Sequence, residues 1–158
     1  MNIIIDIGKQ TLELWQENSL LATYPVSTAK NGAGEYMGSE QTPRGKHYIR
    51  AKIGAGAQSG MAFKGRRPTG EICSSYNKET APSRDWITSR ILWLCGREPG
   101  KNRLGKVDTF HRYIYIHGTP DWEPMSIPKS HGCIRMRNHD IIELFDLTPI
   151  YTPVTINE

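Results

Sequence analysis

The sequence predicts a mainly β protein, a sheet sandwich or partial barrel carrying at least one packed helix. Three observations predict it. Three short apolar segments separated by turn residues fall within the first 27 residues. Two-residue alternation of apolar and polar side chains returns at Lys46–Ile53 and Arg112–His117. Only one segment, Ile141–Phe145, shows the i, i+3, i+4 stripe of a helix laid on a sheet.

Taken in order, Ile3–Ile7 is short, apolar and β-branched, a buried strand. Gly8–Gln10 turns the chain, and Thr11–Gln16 sets Leu12 and Leu14 against Thr11, Glu13 and Trp15. Leu20–Ser27 follows a second turn, so the first three strands form an antiparallel meander. Ala29–Gly45 is a loop rich in Gly, Asn and Pro. Gly54–Asp85 is the least regular stretch and is expected to be a functional lid or a flexible insertion. Arg90–Cys95 is an apolar run that reads as a buried strand, and Arg112–His117 as another. Gly118–Lys129 holds three prolines and is loop, Asn138 is expected to cap the helix, and Pro153–Ile156 closes the sheet.

The chain has 158 residues, 37% of them hydrophobic and 23% charged, which suits one domain of residues 1–158 with its own core. No apolar run approaches the length of a membrane span. The net charge of +4 is modest and spread out; the densest basic group is Lys64, Arg66 and Arg67. That excludes a nucleic-acid arm and leaves a small acidic substrate open. Three cysteines, Cys73, Cys95 and Cys133, are too few and too odd for a disulfide framework. The N-terminal stretch MNIIIDIGKQTLELW has no basic head, apolar core or cleavage site. On that ground a cytoplasmic protein is expected, or a periplasmic or envelope one if a signal has been removed.

Chemistry concentrates between Tyr113 and Met136. Gly132 before Cys133 allows a sharp turn and a close approach of a substrate carbonyl, and the amides around such a turn can form an oxyanion hole. A cysteine of ordinary pKa is only a few per cent thiolate at neutral pH and needs a nearby base. His117 ends a strand beside Gly118; His131 lies two residues from Cys133 and would share its face on extended backbone. Spacing alone leaves both as candidate bases. Cys133, His131, His117, His111 and His139 lack the paired ligand spacing of a zinc site, so no metal and no cofactor are expected.

The stretch YIYIHGT, a spacer, then SHGCIRM resembles the active-site signature of the L,D-transpeptidase catalytic domain family. The opening strands, the TPRG turn at Thr42–Gly45 and SRILWL extend the resemblance over nearly the whole chain. It implies an L,D-transpeptidase-type β-sandwich or partial barrel with one or two short helices. It also implies Cys133 as nucleophile, His117 as base, and Ser130, His131, Gly132 and Gly118 as residues that shape the site. The family often has Asn where this chain has Arg135, which is expected to contact a substrate carboxylate; Trp122 and Tyr115 are further expected substrate contacts. The implied substrates are peptidoglycan stem tetrapeptides or soluble muropeptides, with carbapenem-type β-lactams as inhibitors. Water as acceptor would make the protein an L,D-carboxypeptidase of cell-wall recycling, and an amine would make it a cross-linking transpeptidase. A muropeptide-binding module without activity is the non-enzyme alternative.

Overall fold

A computed structural model describes all 158 residues. It contains ten strands and two α-helices: β1 (Asn2–Asp6), β2 (Thr11–Gln16), β3 (Ser19–Pro25), β4 (Gly45–Ile53), β5 (Met61–Lys64), β6 (Arg67–Ile72), α1 (Ser75–Thr80), β7 (Thr88–Gly96), β8 (Tyr115–Thr119), β9 (Ile134–Arg137), α2 (Asn138–Leu147) and β10 (Pro153–Asn157). The strands form one curled sheet in the order β3-β2-β1-β10-β4-β7-β5-β6, and β8 and β9 branch from β7. All pairs are antiparallel except β1 with β10 and β8 with β9. The fold is the mainly β partial barrel that the alternation pattern predicts.

The expected meander β1–β2–β3 forms, with Leu12 and Leu14 on its buried face. β7 is buried along nearly its whole length, as the continuous apolar run requires. Branching follows from its two edges: β4 pairs with Ile91–Gly96, and β8 with Thr88–Trp93. One core of 18 buried residues joins Ile3 and Ile5 of β1, Leu92 and Leu94 of β7, Ile116 of β8, Ile134 and Met136 of β9, and Ile141, Leu144 and Phe145 of α2. Each such side chain contributes about 1.5–3 kcal/mol on burial.

Three local expectations change. Residues 112–114 are not strand, because Tyr113 takes a left-handed φ of +57° and its N–H turns back to the Phe110 carbonyl. Asn138 is the first helical residue rather than the cap. Its Oδ1 accepts from the hydroxyls of Thr88 and Ser89, 2.6 Å each, and so docks α2 on β7. Residues 54–85 hold the β5–β6 hairpin and α1 instead of irregular loop, and Trp86 beyond them is buried.

His47 of β4 is buried with Nδ1–H donating to the Gly45 carbonyl and Nε2 accepting from Thr109 Oγ1, 3.0 Å each. Burial pushes its pKa down to about 4. The unfolded chain, with an ordinary histidine near 6.5, binds the proton first, so the folded state loses stability as pH falls from about 6.5 through 4, by up to ~3 kcal/mol. Thermal unfolding followed from pH 7 to pH 4 should show that loss, and a His47→Gln variant should show less of it. An identical slope in the two proteins would contradict this account.

Candidate active site

The site is built by strand alternation on one parallel pair. In the β8–β9 register Ile116 faces Ile134 and His117 faces Arg135. Even-numbered Ile114, Ile116, Ile134 and Met136 enter the core. Odd-numbered Tyr115, His117, Cys133 and Arg135 therefore share the opposite face, and they line one open cleft of about 300 Å³. The cleft is completed by Asp85, Arg112, His131 and the Gly65–Arg66 tip of the β5–β6 hairpin.

Cys133 is half-buried at the entry to β9. Its Sγ accepts from the Tyr115 N–H at 3.3 Å and lies 3.3 Å from the Tyr113 carbonyl, to which the thiol donates. Burial pushes the thiol up to about 12, and Asp85 adds to the rise; the Tyr115 N–H, Arg135 and Arg112 oppose it. His117 is buried, and burial lowers its pKa against the opposing pull of the Gly118 carbonyl and Asp85. At neutral pH the cleft thus holds a neutral thiol and a neutral imidazole. His117 Nδ1 is 2.6 Å from the Gly118 carbonyl, which can only accept, so Nδ1 carries the proton and Nε2 keeps its lone pair. Thiol and imidazole share the cleft without a direct hydrogen bond. Such contacts often tighten only when substrate is bound.

The turn before the thiol is clamped on every side. Ser130 Oγ accepts from the Gly132 N–H at 3.2 Å and donates to the Cys133 carbonyl at 2.5 Å. Gly132 has φ +136°, and a Cβ there would sit 3.1 Å from Ile114 Cδ1 and 3.3 Å from the Gln41 carbonyl. Thr42 Oγ1 donates to the Gly132 carbonyl at 2.9 Å and accepts from the Ala29 N–H at 3.0 Å. Thr42 belongs to the TPRG turn, so that motif supports the thiol turn from 90 residues away in sequence. The Gly132 N–H is occupied by Ser130, whereas the Cys133 N–H donates to no loop or side-chain acceptor. Of the two amides expected at an oxyanion hole, the Cys133 N–H is the free one.

The other expected contacts separate. His131 lies at the rim, its side chain 60% exposed and 3.6 Å from Asp85. Arg135 lines the cleft but is 9% exposed and already holds two carboxylates, Asp85 at 3.1 Å and Glu123 at 3.4 Å. Its charge is compensated in place, which argues against the expected substrate-carboxylate contact. Tyr115 lines the cleft, its ring edge-on to Trp93. Trp122 does not; it lines a second cleft of about 280 Å³ with Cys73 and stands edge-on to Trp86. Asp85, Arg66 and Arg112 were invisible as site residues in the sequence, since each is brought in by a separate loop. No three His, Cys, Asp or Glu side chains converge as a metal site would need.

The sequence model of the L,D-transpeptidase catalytic domain matches residues 2–156. A Bacillus subtilis protein with the provisional name L,D-transpeptidase YkuD is 32% identical over 158 residues, covering 99% of this chain and 65% of its own length. The chain therefore spans just under two thirds of that relative. An L,D-transpeptidase from Mycobacterium smegmatis superposes with a TM-score of 0.57 at 18% identity, over 99% of this chain and 58% of that one. L,D-transpeptidase 3 from Mycobacterium tuberculosis, in complex with a faropenem-derived adduct, gives 0.54 at 15% identity, over 99% and 59%. These two likenesses show the shared fold.

Proposed function

Since the chain belongs to the L,D-transpeptidase catalytic domain family, we propose that it transfers an acyl group from peptidoglycan stem tetrapeptides through a Cys133 thioester. The observation that carries the reading is the single cleft holding a thiol, an imidazole with its Nε2 lone pair free and an unpaired Cys133 N–H.

In this mechanism His117 Nε2 takes the thiol proton as Sγ bonds to the carbonyl carbon of the third stem residue. The oxyanion leans on the Cys133 N–H. The carbon–nitrogen bond then breaks, and His117 returns the proton to the departing D-alanine amine. His117 next takes a proton from the acceptor as it attacks the thioester, and returns it to the sulfur. His117 is preferred to His131 because its ring is buried and its tautomer is set by Gly118, whereas His131 stands in solvent beside Asp85.

The acceptor we favour is water, which makes the protein an L,D-carboxypeptidase. Hydrolysis needs only the donor peptide in the cleft, whereas transfer to an amine needs a second peptide beside it. Such an enzyme would trim soluble muropeptides during wall recycling, and its place would be the cytoplasm. The second reading, an amine acceptor and a cross-link, is favoured by the provisional name of the Bacillus relative. β-Lactams of the penem and carbapenem type should acylate Cys133, in keeping with the faropenem-derived adduct of the mycobacterial neighbour.

Incubation with a disaccharide-tetrapeptide followed by mass spectrometry tests the proposal. Tripeptide plus free D-alanine supports hydrolysis, dimers support transfer to an amine, and unchanged substrate with folded protein sinks both. The pH profile supplies a further check. The base works as the neutral ring, and its pKa lies below the ordinary value, so kcat/KM should hold as pH falls through about 6.5 and decline only below it. A decline that begins above that point would remove His117 as the base.

A further inference from the structure

Arg66 occupies a position that disfavours arginine. It is the second residue of the two-residue turn between β5 and β6, with φ +64° after Gly65 at +55°. Such turns, left-handed at both positions, prefer Gly, Asn or Asp, because a Cβ is strained there. Strain of this kind is found where function requires a side chain to be aimed. Here the guanidinium crosses to β8, donates from Nη1 to Tyr115 Oη at 3.1 Å and lies 4.9 Å from the ring centroids of both Trp93 and Tyr113. It lines the same cleft as Cys133.

Three arginines reach that cleft, and they differ in what is left to bind with. Arg135 is held by Asp85 and Glu123. Arg112 gives its terminal nitrogens to the carbonyls of Gly34 and Gln41 and the hydroxyl of Ser39. Arg66 has no carboxylate within ion-pair distance and spends one of its five N–H donors, on Tyr115. Stacked against two rings, it is already ordered and partly desolvated, which is the state in which a guanidinium binds a carboxylate well.

Resting on the stem-peptide reading above, we propose that Arg66 binds the side-chain carboxylate of a diaminodicarboxylic acid at the third position of the donor peptide. Tyr115 sets the distance. Its N–H holds the thiol and its phenol holds Arg66, so the guanidinium lies one tyrosine side chain from the sulfur. The carboxylate of the departing D-alanine belongs to the residue next to the reacting carbonyl and would lie close to the sulfur. The carboxylate at the far end of a long diamino-acid side chain reaches the distance at which Arg66 waits. The enzyme would thus distinguish a diaminopimelate-type stem from a lysine-type stem, which has no carboxylate there.

Binding to the Cys133→Ala protein, measured by calorimetry, tests this without turnover. The probes are four tetrapeptides: diaminopimelate at position three, its side-chain amide, lysine at position three, and the diaminopimelate peptide with a C-terminal amide. The diaminopimelate acid should bind about ten-fold tighter than the side-chain amide or the lysine peptide, while the C-terminal amide should change little. Adding Arg66→Met should remove the ten-fold preference by weakening the acid alone, and Arg66→Lys should keep part of it. Arg66→Gly, which the turn geometry favours, is the well-folded control and should lose the preference as fully as Met. No preference in the parent, a preference that survives Arg66→Met, or a loss that follows the C-terminal carboxylate would each overturn the proposal. Failure of the wild-type protein to release D-alanine would count against the acyl-transfer reading and leave this binding result standing.

Discussion

Replacing Cys133 by Ala is expected to abolish D-alanine release, with a loss of about 10⁴-fold or more, and to abolish covalent labelling by a carbapenem. The expected size reflects that every step passes through the sulfur. The fold should barely notice. Sγ makes only two contacts of hydrogen-bond type, to the Tyr115 N–H and the Tyr113 carbonyl, and both are weak because sulfur is a poor donor and acceptor. Thermal unfolding should therefore stay close to wild type while the intact mass after carbapenem treatment no longer shifts. Cys133→Ser should behave alike, because an alkoxide is far harder to reach than a thiolate with a single neutral imidazole as base. Retention of a few per cent of the wild-type rate by Cys133→Ala would rule out the thioester mechanism.

Gly118→Ala should fail in a different way, losing stability and activity together. A Cβ at this position would collide with the Thr88 carbonyl and come within 2.8 Å of Asn138 Oδ1 and 2.9 Å of Thr88 Oγ1. Thr88 is the register partner of Gly118 across β7 and β8, and Asn138 is the residue that docks α2 there. None of these can yield independently, since the first is backbone and the others are hydrogen-bonded to one another. Overpacking at such a site costs about 3 kcal/mol, which lowers Tm by roughly 6–12 °C in a chain of this size. The same displacement moves the Gly118 carbonyl, the group that holds His117 Nδ1, so kcat/KM should fall by about 100-fold. A variant with unchanged Tm and unchanged rate would show that the β7–β8 junction gives more easily than this packing implies.

Much of this was legible in the sequence because it is local. Alternation in Thr11–Gln16 assigns each side chain to one face, whatever the rest of the chain does. The thiol turn was also local: the Ser130 clamp, the glycine at φ +136° and the cysteine are contiguous. Less legible were Asn138, whose capping chemistry was overridden by the hydroxyls of Thr88 and Ser89, and Tyr113, whose left-handed backbone ends a run that alternates like strand. In both cases a tertiary contact or turn outweighed a local preference.

By itself, the sequence determined the mainly β architecture, the family and the thiol turn, since these rest on periodicity and on motifs written in neighbouring residues. The tertiary structure decided which charges are still free to act. Arg135 reads as an open cation until Asp85, 50 residues away, and Glu123 are seen to hold it. Arg66 reads as one member of a basic group until the hairpin turns it into the cleft without a counter-ion. Spacing left His117 and His131 both open and the family resemblance implied His117; burial and the Gly118 carbonyl are what support that proposal. The physical reason is range: side-chain direction along a strand repeats every two residues, but the partner of a charge is set by sheet order, and sheet order depends on the whole chain.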